Sequence, residues 1–148
     1  MNTAFALNTH CPSPPSRIPA ETAALVDTLG ERHFTLAETL KSLAGGPIPT
    51  SARMRQFAKQ LREQFHFEDR ALYAILFNRA AVLHAMAMGF QSAVSCLAVT
   101  ATAFAGRWSL QEPANDPGRF RHELSFVIAQ LGERIRIEEE MVNSLLDR

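Results

Sequence analysis

An all-α, up-down-up-down four-helix bundle is the fold this sequence predicts, and three observations predict it. Apolar residues recur at spacings of three and four in four successive stretches, the period of an amphipathic helix. The breaks between stretches are short and rich in proline and glycine, which keeps consecutive helices adjacent and antiparallel. No stretch alternates with the period of two that a strand requires.

The elements follow in order. Residues 1–19 carry Pro12, Pro14, Pro15 and Pro19 and read as an irregular Pro/Ser-rich tail, leaving residues 20–148 as a single domain. The first helix should begin near Glu21. Its seam is Leu25, Leu29, His33, Leu36, Leu40 and Leu43, and it stops at "AGGP", where glycine and then proline end a helix. Thr50 or Ser51 can cap a second helix with the seam Met54, Phe57, Leu61, Gln64/Phe65, Glu68, Leu72 and Ile75, ending near Asn78. The third helix has Leu83, Met86, Phe90, Val94, Leu97, Ala101 and Phe104 as its main stripe, with apolar or small residues on its other sides too. Such a helix needs cover all round, from the bundle or from a second subunit, so a homodimer is one expectation. "QEPANDPG" is turn chemistry. It leads to a fourth helix with the seam Phe120, Leu124, Val127, Leu131, Arg134/Ile135, Glu138, Val142 and Leu145.

Composition narrows the function classes. Fifteen basic residues against fifteen acidic ones, with no basic block, lack the electrostatic footprint of direct nucleic-acid binding. Cys11 and Cys96 are far apart, without the spacing of a zinc or redox pair, and read as free thiols in a reducing compartment. The N-terminus lacks a basic segment followed by a long apolar one, so the expected location is the cytoplasm. Residues 80–106 contain no Asp, Glu, Lys or Arg, yet His84, Gln91 and several hydroxyls argue for a buried helix rather than a membrane span. No nucleophile with its partners and no phosphate-binding loop is legible, so an enzyme is not expected.

The informative residues are polar ones on buried seams. His33, Glu68, Arg134 and Glu138 all point inward if the helices pair as predicted, and an unpaired buried carboxylate costs several kcal/mol. Bundles place metal sites with inward Glu and His on facing helices. The steps here, however, are Gln64-x-x-x-Glu68 and Arg134-x-x-x-Glu138: the acids stand, and both positions that would make a His-x-x-x-Glu ligand pair hold another residue. Two arrangements satisfy the charges. In one, the Arg134 guanidinium, which is always protonated and cannot ligate a metal, replaces the cation. In the other, His33, Glu68 and Glu138 meet a metal cation. His66 and His122 should face away from the centre, as should Glu139 and Glu140 beside Glu138. Trp108 and Tyr73 read as packing residues with one polar tip.

"LVDTLGERHFTLAETLKSL", "LREQFHFEDRALYAIL" and "QLGERIRIEEEM" together resemble the hemerythrin-like HHE cation-binding family, loosely over residues 21–146. "MGFQSAVSCLAVTATAFAGRW" followed by "DPGRF" is similar to the third helix and linker of a subset of it. The resemblance implies a bundle binding non-haem iron or another cation, with roles in oxygen, nitric oxide or redox sensing. It would match His33, Glu68 and Glu138 to metal ligands on the first, second and fourth helices, and His84 to one on the third. Gln64 and Arg134 depart from the family's histidines and Ala74 from its proline, which implies a degenerate, metal-free site in a bacterial regulatory or sensing protein. "AQLGERIRIEEEMVNSLLD" and "LVDTLGERHFTL" also resemble the Rsd/AlgQ family, whose members bind the principal sigma factor of RNA polymerase. Either resemblance implies a protein partner rather than a substrate.

Overall fold

A computed structural model of the protein describes residues 20–77 and 81–146, with side chains at 72–91, 93, 145 and 146 outside the description. The tail at 1–19 and the seam residues Leu72, Ile75, Leu83, Met86, Phe90 and Leu145 therefore lie outside what can be compared, as do Tyr73 and Ala74. Four helices are described: α1 (Ala20–Gly45), α2 (Ser51–Phe77), α3 (Ala81–Leu110) and α4 (Pro117–Leu146). A single 3-10 turn, Pro113–Asn115, lies between α3 and α4, and no strand occurs among the described residues. At 26 to 30 residues each, the helices are about 40 Å long.

Contacts at one end establish the up-down-up-down order. Arg121, in the first turns of α4, donates to the carbonyls of Ala44 and Gly46 at the end of α1, each at 3.4 Å. Glu112, just past α3, accepts from the Ser51 backbone N–H at the start of α2 at 3.1 Å and from the Ser51 hydroxyl. The C-termini of α1 and α3 thus share an end with the N-termini of α2 and α4. Neighbours in sequence pack on one another, and α4 closes the ring against α1.

Helix ends are set by local chemistry. Thr50 Oγ1 accepts from the Arg53 N–H at 3.1 Å, capping α2, and Asp116 Oδ1 accepts from the Arg119 N–H at 3.3 Å, capping α4. Pro117 opens α4, where a missing N–H costs nothing. Just past the end of α1, position 46 has no room for a side chain. A Cβ there would lie 2.8 Å from the Ser42 carbonyl oxygen, whose hydrogen bond from the Gly46 N–H (3.1 Å) closes the last turn.

The apolar core fills the end of the bundle that holds these caps. Trp108, Phe104 and Phe120 form its aromatic centre, Trp108 standing edge-on to Phe120 with ring centroids 5.4 Å apart. Leu40, Leu43, Met54, Phe57, Leu61, Leu124 and Leu131 pack around them, each burial worth about 1.5–3 kcal/mol. The Trp108 indole donates to Glu123 at 2.8 Å, so its polar tip is satisfied as expected. Leu25 is half-buried, while the rest of the described α1 seam is buried.

In the described half of α3, Val94, Ala101, Phe104 and Ala105 face inward, but Cys96 and Val99 are exposed. This chain's own helices therefore do not cover α3 on every side. No helix among the described residues is long and apolar enough to cross a membrane.

A charged centre in the bundle core

Towards the other end, the core changes character. His33, Gln64, Glu68, Arg134 and Glu138 are all buried, none more than 4% exposed. Helix periodicity aims each of them: they occupy seam positions of α1, α2 and α4 that farther along hold Leu and Phe. Sequence reasoning placed these five inward, and the structure brings them together.

Arg134 is the hub. Its Nε and Nη2 both donate to Glu68 Oε2, at 2.9 and 2.5 Å, and its Nη1 donates to the Val94 carbonyl of α3 at 2.6 Å. The guanidinium also lies over the Phe65 ring, 4.5 Å from its centroid, a favourable cation–π placement. Arg134 Nε passes 3.1 Å from Glu138 Oε1. That contact is Coulombic, because Glu138 Oε1 has no donor aligned on it. Gln64 donates its Nε2 to Glu68 Oε1 at 2.7 Å, one turn along α2.

His33 completes the centre from α1. Its Nε2 donates to Glu138 Oε2 at 2.9 Å and lies 3.7 Å from Glu68 Oε1. Two cationic groups therefore face two carboxylates, and the centre is neutral when all four are ionised. All four helices contribute to it, α3 through a backbone carbonyl.

The two carboxylates are unequal. Burial disfavours charge on Glu68, but His33, Arg134 and Gln64 outweigh it and hold its pKa down at about 2. Glu138 has fewer aligned donors; burial and the Glu68 charge beside it raise its pKa to about 7, against the His33 hydrogen bond. Burial opposes charge on His33 as well, but Glu138 and Glu68 overcome it and raise the imidazolium to about 9. Both groups hold their protons to higher pH than they would in water, and His33 keeps its own longer than Glu138 does as pH rises.

The donors present do not fit a two-metal centre. The Glu68 edge that would face a metal faces the Arg134 fork, and the Gln64 amide nitrogen is turned to the other Glu68 oxygen. A single cation is a closer match, because one donor atom each from His33, Glu68 and Glu138 lie within 4.8 Å of one another. His84 lies in α3, and its side chain is outside the described residues.

His66 and His122 are exposed, as their register requires, and so are Glu139 and Glu140. Three participants escaped sequence reasoning. The Val94 carbonyl carries no side-chain signal. Phe65 stood in the seam only as a packing residue. Glu139 belongs by period to the solvated face, yet its Oε1 reaches to 3.4 Å from His33 Nδ1.

Fold and site together define a four-helix bundle with a charge-balanced polar centre in its core. Comparison with protein-family models, curated proteins and solved structures returned no match.

Proposed function

We infer that the protein is a regulatory or sensing binding protein of hemerythrin-like design, in which the Arg134 guanidinium occupies the place of a metal cation. The observation that carries this reading is the Arg134 fork on Glu68, with Glu138 on its flank and His33 on the far side. Two organic cations offset two carboxylates without a metal charge. The binding role is supported by Phe126, 56% exposed, which lines an open groove between α3 and α4, a surface suited to a protein partner. A partner such as a sigma factor, as the Rsd/AlgQ resemblance implies, would dock on a surface of this kind.

A second reading is favoured by the cluster of His33, Glu68 and Glu138 donor atoms: one cation held with Arg134 swung aside. Anaerobic loading with ferrous iron, followed by desalting and metal analysis, separates the two. The expected result is no iron above trace and no oxo-bridged absorption in air. Retention of about two irons per chain, the stoichiometry of a di-iron bundle, overturns the metal-free reading. Retention of about one, lost in Glu138→Ala, establishes the single-cation reading instead.

A further inference from the structure

A groove of about 550 Å³ opens between α1 and α2, apart from the charged centre and from the α3–α4 groove. Its volume falls in the roughly 300–1,000 Å³ range of small-molecule pockets. Arg32 enters it from α1, and Glu63, His66, Phe67 and Arg70 line it from α2. These four α2 residues are spaced by three or four, so they form one contiguous patch of the helix surface. Arg32 is half-buried, and its guanidinium lies over the Phe67 ring, 4.3 Å from the centroid. The ring attracts the charge but offers no lone pair to its five N–H donors.

Elsewhere the guanidiniums find acceptors. Arg107 and Arg119 pair with Glu123, Arg136 with Glu133 and Glu140, and Arg55 and Arg121 donate to backbone carbonyls. Among the described residues, the side chains of Arg32, His66 and Arg70 have no such partner. Glu63, the carboxylate in the lining, pairs instead with Lys59 at 3.7 Å.

We propose that this groove binds a small phosphomonoester with a flat apolar group, its phosphate held by Arg32, Arg70 and His66 and its apolar group set against Leu25 and Phe67. Charge selects an anion, because two guanidiniums face one carboxylate that already has a partner. Geometry selects phosphate over carboxylate. One guanidinium fork serves the two oxygens of a planar carboxylate, whereas donors on three side chains from two helices suit a tetrahedral group with three terminal oxygens. A neutral imidazole in either tautomer still supplies one N–H, so His66 can donate without a charge. Leu25 and Phe67 are half-buried in the groove wall and offer apolar contact that inorganic phosphate alone would leave unused.

The proposal names a ligand for the sensing role without resting on the state of the charged centre, none of whose side chains line the groove. Titration calorimetry of the full chain with phenyl phosphate tests it, with inorganic phosphate, benzoate and phenol as comparators. Phenyl phosphate is expected to bind saturably at one site per chain, and each comparator about tenfold more weakly or worse. Arg32→Gln and Arg70→Gln should each weaken that binding about tenfold or more, the loss of a hydrogen bond between charged groups. Arg62→Gln removes an exposed α2 charge outside the groove and should leave binding unchanged. Arg70 is itself exposed, so its variant keeps the test open should Arg32→Gln lose helicity. The proposal is overturned if the native chain shows no saturable binding, if benzoate binds as tightly, or if Arg62→Gln weakens binding as much as Arg70→Gln does. Iron content measured on the same sample reports on the charged centre separately, so failure of either reading is seen by itself.

Discussion

His33 and Glu68 are shifted in opposite directions, and their contributions to stability belong to different pH windows. The folded-state pKa of His33 lies above its ordinary 6.5, so its contribution is complete below that pH and is lost as pH rises through about 9. Glu138, also raised, acts in the same sense between 4.5 and about 7. Glu68 is depressed, so its contribution is present above 4.5 and lost as pH falls through about 2. Thermal melts between pH 6.5 and 9 should therefore show stability falling with pH, by on the order of 3 kcal/mol from His33. His33→Asn should flatten that slope. A native profile level across this window would contradict the buried imidazolium.

At the scale of elements, helix ends and helix interiors make separate demands. Thr50 caps α2 through a single side-chain hydrogen bond to the Arg53 N–H, so Thr50→Ala should cost about 1 kcal/mol. Gly132 sits in the interior of α4, and an added Cβ there meets nothing within 4 Å, so Gly132→Ala should stabilise by roughly 0.5–1 kcal/mol. Urea unfolding of the two variants measures both effects. Their signs should be opposite; a Gly132→Ala chain less stable than the native one would reveal a close approach at that face. The same reasoning explains why residue 46 is a glycine, since an added Cβ would meet the Ser42 carbonyl.

For the whole molecule, the bundle divides into an apolar end and an end whose core carries buried charge. Buried ion pairs seldom outweigh their desolvation cost against well-packed apolar residues. Replacing the set together, as His33→Leu, Glu68→Leu, Arg134→Met and Glu138→Leu, should leave a bundle equally stable or more stable by about 1–4 kcal/mol. Glu68→Ala alone should instead cost about 3–5 kcal/mol, because it removes both hydrogen bonds of the Arg134 fork and leaves the guanidinium only the Val94 carbonyl as an aligned acceptor, with the Glu138 charge on its flank. Thermal denaturation of the two chains makes the comparison. A collapse of the apolar set would mean that the charged centre holds the fold, and the proposed binding or sensing role would lose its main physical support.

Most of the fold was legible before any coordinates, because helical period, turn residues and caps are local properties. The α1 seam from Leu29 to Leu43 and the α4 seam from Phe120 to Val142 follow from a repeat that any helix imposes on its buried face. The same period put His33, Glu68, Arg134 and Glu138 inside, and charge balance required that they meet one another or a cation. Period cannot assign partners. That Arg134 forks onto Glu68 and only brushes Glu138, that His33 pairs with Glu138, and that the third guanidinium nitrogen finds the Val94 carbonyl depend on how far each helix is turned and shifted against its neighbours. Sequence determined which residues enter the core; only the packing of four helices decided which charge faces which, because hydrogen-bond geometry is set by distances between chain segments a hundred residues apart.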